Sequence, residues 1–286
     1  MATVTLECGH HTLTLDRPRV MGVLNVTPDS FSDGGAFVEP EAALERAREM
    51  VAEGADVIDL GGESTRPGAT GVTLDEELER VLPVLERLCA ELPVPVSVDT
   101  SKPEVMAAAA RAGAGMINDV QALRAEGAPE AAAATGLPVC LMHMQGEPRT
   151  MQRDPRYGAV VADVHAFLAE RVAAAEAAGI PRHRLLVDPG FGFGKSLEHN
   201  YTLLGQLGAL HDLGVPVLVG MSRKSMLGRL LDRPLEGRLS AGLAAAVIAA
   251  WQGAAVMRVH DVAATVDAMA VVQAALHPAG LDGGGA

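Results

Sequence analysis

Short apolar runs recur along the chain, and each breaks off in carboxylates, amides or glycines. The first, Val20 to Leu24, gives way at Asn25 to a loop carrying Thr27, Asp29, Ser30, Ser32 and Asp33 and closed by Gly34 and Gly35. Runs of this length, apolar at consecutive positions, read as parallel strands buried on both faces. The same design returns at Val57 to Leu60, ending in GGESTRPGATGVT, and at Pro95 to Val98, ending in Asp99, Thr100, Ser101 and Lys102. Gly115 to Ile117 ends in Asn118 and Asp119, and Pro138 to Met142 runs into HMQGEPRTMQRDPRY. Leu185 to Val187 ends in DPGFGFGK, Pro216 to Val219 in GMSRKS, and Ala255 to Arg258 leads on to His260.

Between these runs the spacing predicts helices over 41–53 behind Pro40, from Thr73 to about Glu91, from Pro103, over 159–178, 224–231 and 236–252, and up to about Leu276. Thr73 and Glu76 form a capping box. Residues 3–17 alternate apolar and polar around a Cys-Gly-His-His turn, the mark of a β-hairpin.

Eight strands alternating with helices predict a single α/β domain over 1–286, a (β/α)8 TIM barrel with an N-terminal hairpin at 1–17 and a disordered tail at 278–286. A doubly wound open sheet shares the βα repeat, but it gathers its polar tips at one switch point. Here every strand ends in a polar or glycine-rich tip, as expected when all eight surround one mouth.

Composition narrows the chemistry. A net charge of -13 disfavours nucleic acid or an anionic membrane as partner, and 3% aromatic residues leave few stacking platforms. No run of eighteen apolar residues and no secretory start is visible. Cys8, Cys89 and Cys140 stand in dissimilar contexts and read as free thiols of a reducing cytoplasm. His10 and His11 lie beside Cys8 without a second ligand pair, so a plain turn is the better reading. Of 23 basic residues only Lys102, Lys195 and Lys224 are lysines, which makes Lys224 in its loop conspicuous. An acidic protein that takes an anionic substrate must concentrate positive charge locally.

The strand tips supply two kinds of group. Asp99, Asn118 and Asp188 suit the hydrogen-bonding edge of a flat, amino-substituted heterocycle, because a carboxylate accepts two N–H donors side by side. Each alone reads equally well as a cap for the helix that follows. Arg66, Lys224, Arg258 and His260 are cationic, and barrels often seat phosphate near the last two strands. Arg223 reads as a surface ion pair and His143 as structural. GFGFGKS is not a P-loop, since three residues rather than four separate Gly190 from Gly194-Lys195; its glycines let a flat ligand lie near backbone, with Phe193 beside it.

NVTPDSFSDGG, DLGGESTRPG, VDTSKP, INDV, LMHMQGEPRTMQ, DPGFGFGK, SRKS and RVHD stand in this order over nearly the whole chain. In that order they resemble the dihydropteroate synthase family of pterin-binding TIM barrels. The resemblance implies condensation of 6-hydroxymethyl-7,8-dihydropterin pyrophosphate with p-aminobenzoate to give 7,8-dihydropteroate, with no protein nucleophile. It implies that Asp99, Asn118, Asp188, Met142 and Lys224 hold the pterin, and that Asn25 binds Mg²⁺. Arg66, Arg258 and His260 would join that ion in holding the pyrophosphate. Phe31, Pro67, Phe193, Ser225 and Ser222 would shape the p-aminobenzoate site. Asp33 would stabilise the cationic methylene, and loops 25–35 and 61–73 would close over pyrophosphate. A homodimer is expected from the same resemblance. The rival readings are a pterin-dependent corrinoid methyltransferase, which has no use for the STRPG loop or the SRK lysine, and a non-catalytic pterin-binding relative.

Overall fold

A computed structural model describes residues 4–27, 40–64, 71–147 and 149–278. Strands β1 (Val4–Cys8) and β2 (His11–Leu15) pair antiparallel as the expected hairpin, with Cys8 opposite His11. Eight parallel strands follow: β3 (Arg19–Asn25), β4 (Val57–Gly61), β5 (Val96–Asp99), β6 (Met116–Asp119), β7 (Val139–Met142), β8 (Leu185–Asp188), β9 (Leu218–Val219) and β10 (Val256–Val259). Their hydrogen-bonded order is β8-β7-β6-β5-β4-β3-β10-β9. A parallel bridge between Val187 and Val217 joins the two ends, the Val187 amide donating to the Pro216 carbonyl at 3.0 Å. The sheet therefore closes on itself as a barrel.

Around it lie α1 (Pro40–Ala52), α2 (Leu74–Glu91), α3 (Pro103–Arg111), α4 (Ala128–Thr135), α5 (Val160–Ala177), α6 (Leu197–Gly205), α7 (Ser225–Leu231), α8 (Leu239–Trp251) and α9 (Val262–Leu276). The Thr73–Glu76 capping box is present in both directions at the start of α2. Three features differ from the sequence reading. Helices α4 and α6 fall in stretches given no element; α4 carries five alanines in eight residues, so no apolar stripe stands out against a polar face. Strand β9 is two residues long, the shortest of the eight.

Alternation along the strands explains where the chemistry sits. Met21, Val57, Met116, Cys140, Leu186, Leu218 and Val256 point inward and pack with Leu6 and Leu13 of the hairpin, which plugs the lower mouth. Gly115 permits that approach, because a Cβ there would stand 2.8 Å from the Cys8 carbonyl oxygen. Two residues further along the same strands the inward positions become Asp59, Asn118, Met142, Asp188, Gly220 and Arg258. The outward positions, such as Val20, Ile58, Val98, Ile117, Leu141 and Val187, form the main core with the helices. The barrel is thus apolar below and charged above.

Candidate active site

Strand register builds the upper layer. Asn25 pairs with Gly61, Gly61 with Asp99, and Asp99 with Asn118, so these four positions stand level. Met142 is likewise level with Asp188. Arg258 reaches across this layer: its Nε donates to Asp59 Oδ2 at 2.6 Å and its Nη2 to Asp99 Oδ2 at 2.8 Å. Asn118 Nδ2 donates to the same Asp59 oxygen at 3.2 Å. On the far side, Asp188 Oδ1 accepts from the Gly190 amide at 2.7 Å. Lys224 caps this region, donating to the Phe191 carbonyl with its ammonium 4.5 Å from the Phe193 ring centre. Met142 and Phe193 share a small apolar cluster with Val120, Met144 and Met151.

Charges crowded out of water shift one another. Burial pushes Asp99 up to about 7 against the pull of Arg258, and the neighbouring carboxylates Asp59, Asp119 and Glu77 add to the rise. Burial also raises Asp188, opposed by Lys224, the Gly190 amide and Arg258. Lys224 is pulled down to about 8 by burial and held up by Asp188. Burial opposes protonation of Arg258 as well, but Asp59 and Asp99 outweigh it and hold the guanidinium charged. Asp99, Asp188, Lys224 and Arg258 therefore form one electrostatic unit at one mouth, a group poised for a polar ligand.

Other expected residues sit at its edge. β10 ends at Val259, so His260 stands one residue beyond the strand that carries Arg258; its amide donates to Ser222 Oγ at 3.2 Å. Arg223 makes the expected exposed ion pair, its Nε donating to Asp261 at 3.2 Å. Ser225 opens α7 and is exposed. Phe31, Asp33, Arg66 and Pro67, with residues 28–35 and 65–70 of the two loops, lie outside the described residues. Among the described residues no group of three or more His, Cys, Asp or Glu could hold a metal ion.

Residues 21–260 match the family of pterin-binding enzymes. The chain is 57% identical over 264 residues to the dihydropteroate synthase of Escherichia coli K12, covering 92% of this chain and 94% of that one. The chain belongs to the dihydropteroate synthase family. Solved dihydropteroate synthase structures agree. A Yersinia pestis synthase in complex with a sulfonamide drug superposes with a TM-score of 0.91 at 54% identity, covering 95% of this chain and 99% of that one. The Xanthomonas albilineans synthase in complex with 7,8-dihydropteroate gives 0.87 at 55% identity, covering 95% and 98%.

Within this dihydropteroate synthase fold, two buried residues went unassigned in the sequence. Asp59 is fully buried beneath the site and anchors both Arg258 and Asn118. A signal existed: a carboxylate inside the apolar run VIDL must find a partner. Asp119 is also fully buried, accepting from Ser101 and from the Gln121 and Leu123 amides, so it shapes the β6 tip rather than facing ligand.

Proposed function

We propose that this chain condenses 6-hydroxymethyl-7,8-dihydropterin pyrophosphate with p-aminobenzoate, releasing pyrophosphate and forming 7,8-dihydropteroate. The observation that carries the reading is the meeting of buried hydrogen-bond acceptors and cations in one layer at one mouth. Asp99, Asn118 and Asp188 would take the N–H edge of the pterin, with Met142 against its face and Lys224 reaching the ring. Arg258 uses one N–H on each carboxylate and keeps others for phosphate oxygens; His260 and Arg66 would join it. As the methylene–oxygen bond breaks, its electrons leave with pyrophosphate, whose growing charge these cations stabilise. Asp33 would stabilise the cationic methylene. The amine of p-aminobenzoate, seated among Phe31, Pro67, Phe193, Ser222 and Ser225, then bonds to the methylene and sheds a proton.

The donor set suits Mg²⁺. Gly61 leaves the Asn25 carboxamide oxygen open, since a Cβ there would stand 3.2 Å from it. A single hard oxygen from protein, completed by waters and substrate phosphates, is how this cation is commonly held. When bound, Mg²⁺ would neutralise charge on the departing pyrophosphate.

The test is pyrophosphate release. Turnover should require p-aminobenzoate and stop on chelation of Mg²⁺; release that ignores p-aminobenzoate would reject the condensation.

Homodimer formation belongs to the same proposal. Small residues of α8, Ala245, Ala246, Ala249 and Ala250, are buried inward, while Leu239, Ile248 and Trp251 stand exposed. Leu230, Leu231 and Leu235 extend this apolar surface ahead of α8, and Val271 and Leu276 are exposed on α9, which packs against α8. Such a surface marks an interface. Sedimentation equilibrium should show a dimer that Trp251→Glu weakens; a wild-type monomer would end this reading. Among the described residues no helix is long and apolar enough to cross a membrane. With free Cys8, Cys89 and Cys140, we assign the chain to the cytoplasm.

A further inference from the structure

The loop after β8 has an unusual construction. All five of its carbonyls, from Gly190 to Gly194, are held by side-chain donors. Gly190 and Phe193 accept from Lys195 Nζ at 2.9 and 3.1 Å, and Phe191 accepts from Lys224. Gly192 accepts from Gln152, and Gly194 from the Tyr157 hydroxyl at 2.7 Å. Gly190, Gly192 and Gly194 have φ of 66°, 81° and 61°, so alternate residues take the left-handed conformation that turns the carbonyls outward. Lys195 holds two of the five carbonyls, and its third neighbour is His143 Nδ1 at 2.9 Å. Its side chain is wholly inside, the residue being 2% exposed.

We propose that Lys195 is the positioning residue of the amine-acceptor side of the site: its ammonium, a tripod on Gly190 O, Phe193 O and His143 Nδ1, sets where Phe193 stands relative to Lys224. The proposal rests on the condensation reading above. Three acceptors match the three protons of an ammonium; a neutral amine would leave one acceptor facing a lone pair. Burial and the nearby Lys195 charge drive His143 down to about 3, so its ring is neutral and one nitrogen is free to accept. Burial pulls Lys195 well down and Lys224 adds to the fall, with Asp188 opposing it; the three acceptors around Nζ are what favour the ammonium.

Residue choice supports the tripod independently. The chain uses arginine for all but three of its 23 basic positions, and all three lysines lie in loops after strands at this one mouth. Lys102 donates to Glu63 at 2.6 Å and to buried Glu77, Lys195 serves the tripod, and Lys224 serves Phe191. A planar guanidinium cannot point three donors at a pyramidal set of acceptors. It is also bulkier, and the side chain at 195 is already enclosed at 2% exposure.

The experiment uses the full chain. Lys195→Met and Lys195→Arg are each expected to lower kcat/KM for p-aminobenzoate about a hundredfold, the penalty of an ångström-scale misplacement. Binding of 6-hydroxymethyl-7,8-dihydropterin without its pyrophosphate should fall far less, because of its three holders only Asp188 meets this loop, through the Gly190 amide and the charge of Lys195. Full activity of the arginine variant, or equal losses for both ligands, would overturn the assignment. A second readout needs neither variants nor turnover. Nitrogen-15 labelling of lysine and histidine in the wild-type chain should give, among three lysine signals, a buried ammonium with slowed proton exchange, and an unprotonated, hydrogen-bonded His143 Nδ1. A neutral Lys195 amine or a protonated Nδ1 would overturn the tripod even if both variants fail to fold. A wild type that fails the pyrophosphate assay would instead overturn the condensation reading, with the nitrogen signals still deciding what Lys195 holds.

Discussion

Replacing Arg258 by methionine is expected to destabilise the fold by about 3–5 kcal/mol, the usual penalty for removing one partner of a buried ion pair. For a chain of this size that is a fall of roughly 10 °C in Tm. Asp59 has no exposure and Asp99 very little, so neither can exchange the guanidinium for water. The deficit should depend on pH, and its sign is fixed. Asp99 already stands near 7 with Arg258 lowering it, so without that cation it rises further above its unfolded value. A carboxyl raised in the folded state contributes stability below its unfolded pKa and loses it as pH rises through the folded one. The variant should therefore lag the wild type most at pH 8 and least at pH 5. Turnover should fall about a hundredfold or more at every pH, because a donor aimed at the leaving pyrophosphate is gone. Adding Asp59→Asn to the variant separates the two effects: thermal melts should recover part of the stability, while pyrophosphate release stays low. A deficit that is flat from pH 5 to 8 would mean that the ion pair is not what Arg258 contributes.

The barrel was legible because its two periods are written plainly: apolar runs of strand length, then polar tips, eight times over. The tips named most of the site as well, since Asp99 and Asp188 end their strands in the upper layer and Asn118 and Arg258 stand one residue before the ends of theirs. What stayed hidden had physical reasons. α4 has five alanines in eight residues between two left-handed glycines and shows little amphipathic contrast. Asp59 sits two residues before its strand ends, inside an apolar run, and its importance depends on an arginine 199 residues away. Two of the three partners of Lys195 are backbone carbonyls, which every residue carries, and the third, His143, lies 52 residues away, so no local side-chain pattern announced it. Read from the sequence as a cation for phosphate, Arg258 is also matched from within the chain, which supplies two anions, Asp59 and Asp99.

That self-pairing bears on the second large effect, expected for Asp188→Asn. The change keeps shape and leaves an oxygen for the Gly190 amide, which Asp188 Oδ1 accepts at 2.7 Å. It replaces the other acceptor by an N–H donor facing the pterin's own donors. A site built around a hydrogen bond discriminates strongly when that bond cannot form, so kcat/KM for the pterin pyrophosphate should fall about a thousandfold or more. Asp99 cannot substitute, because its carboxylate is shared with Arg258. A second consequence separates this variant from a mere loss of binding. Burial lowers Lys224 to about 8, and Asp188 is the largest influence holding it up. Without Asp188 the lysine gives up its proton more readily. The wild type should lose activity above about pH 8 as Lys224 deprotonates, and in Asp188→Asn that basic limb should move toward acid. The residual rate of the variant, measured from pH 6 to 9, decides the matter. A basic limb that stays in place would show that Lys224 does not depend on Asp188 for its charge, and the two residues would then have to be treated as separate contacts to the pterin.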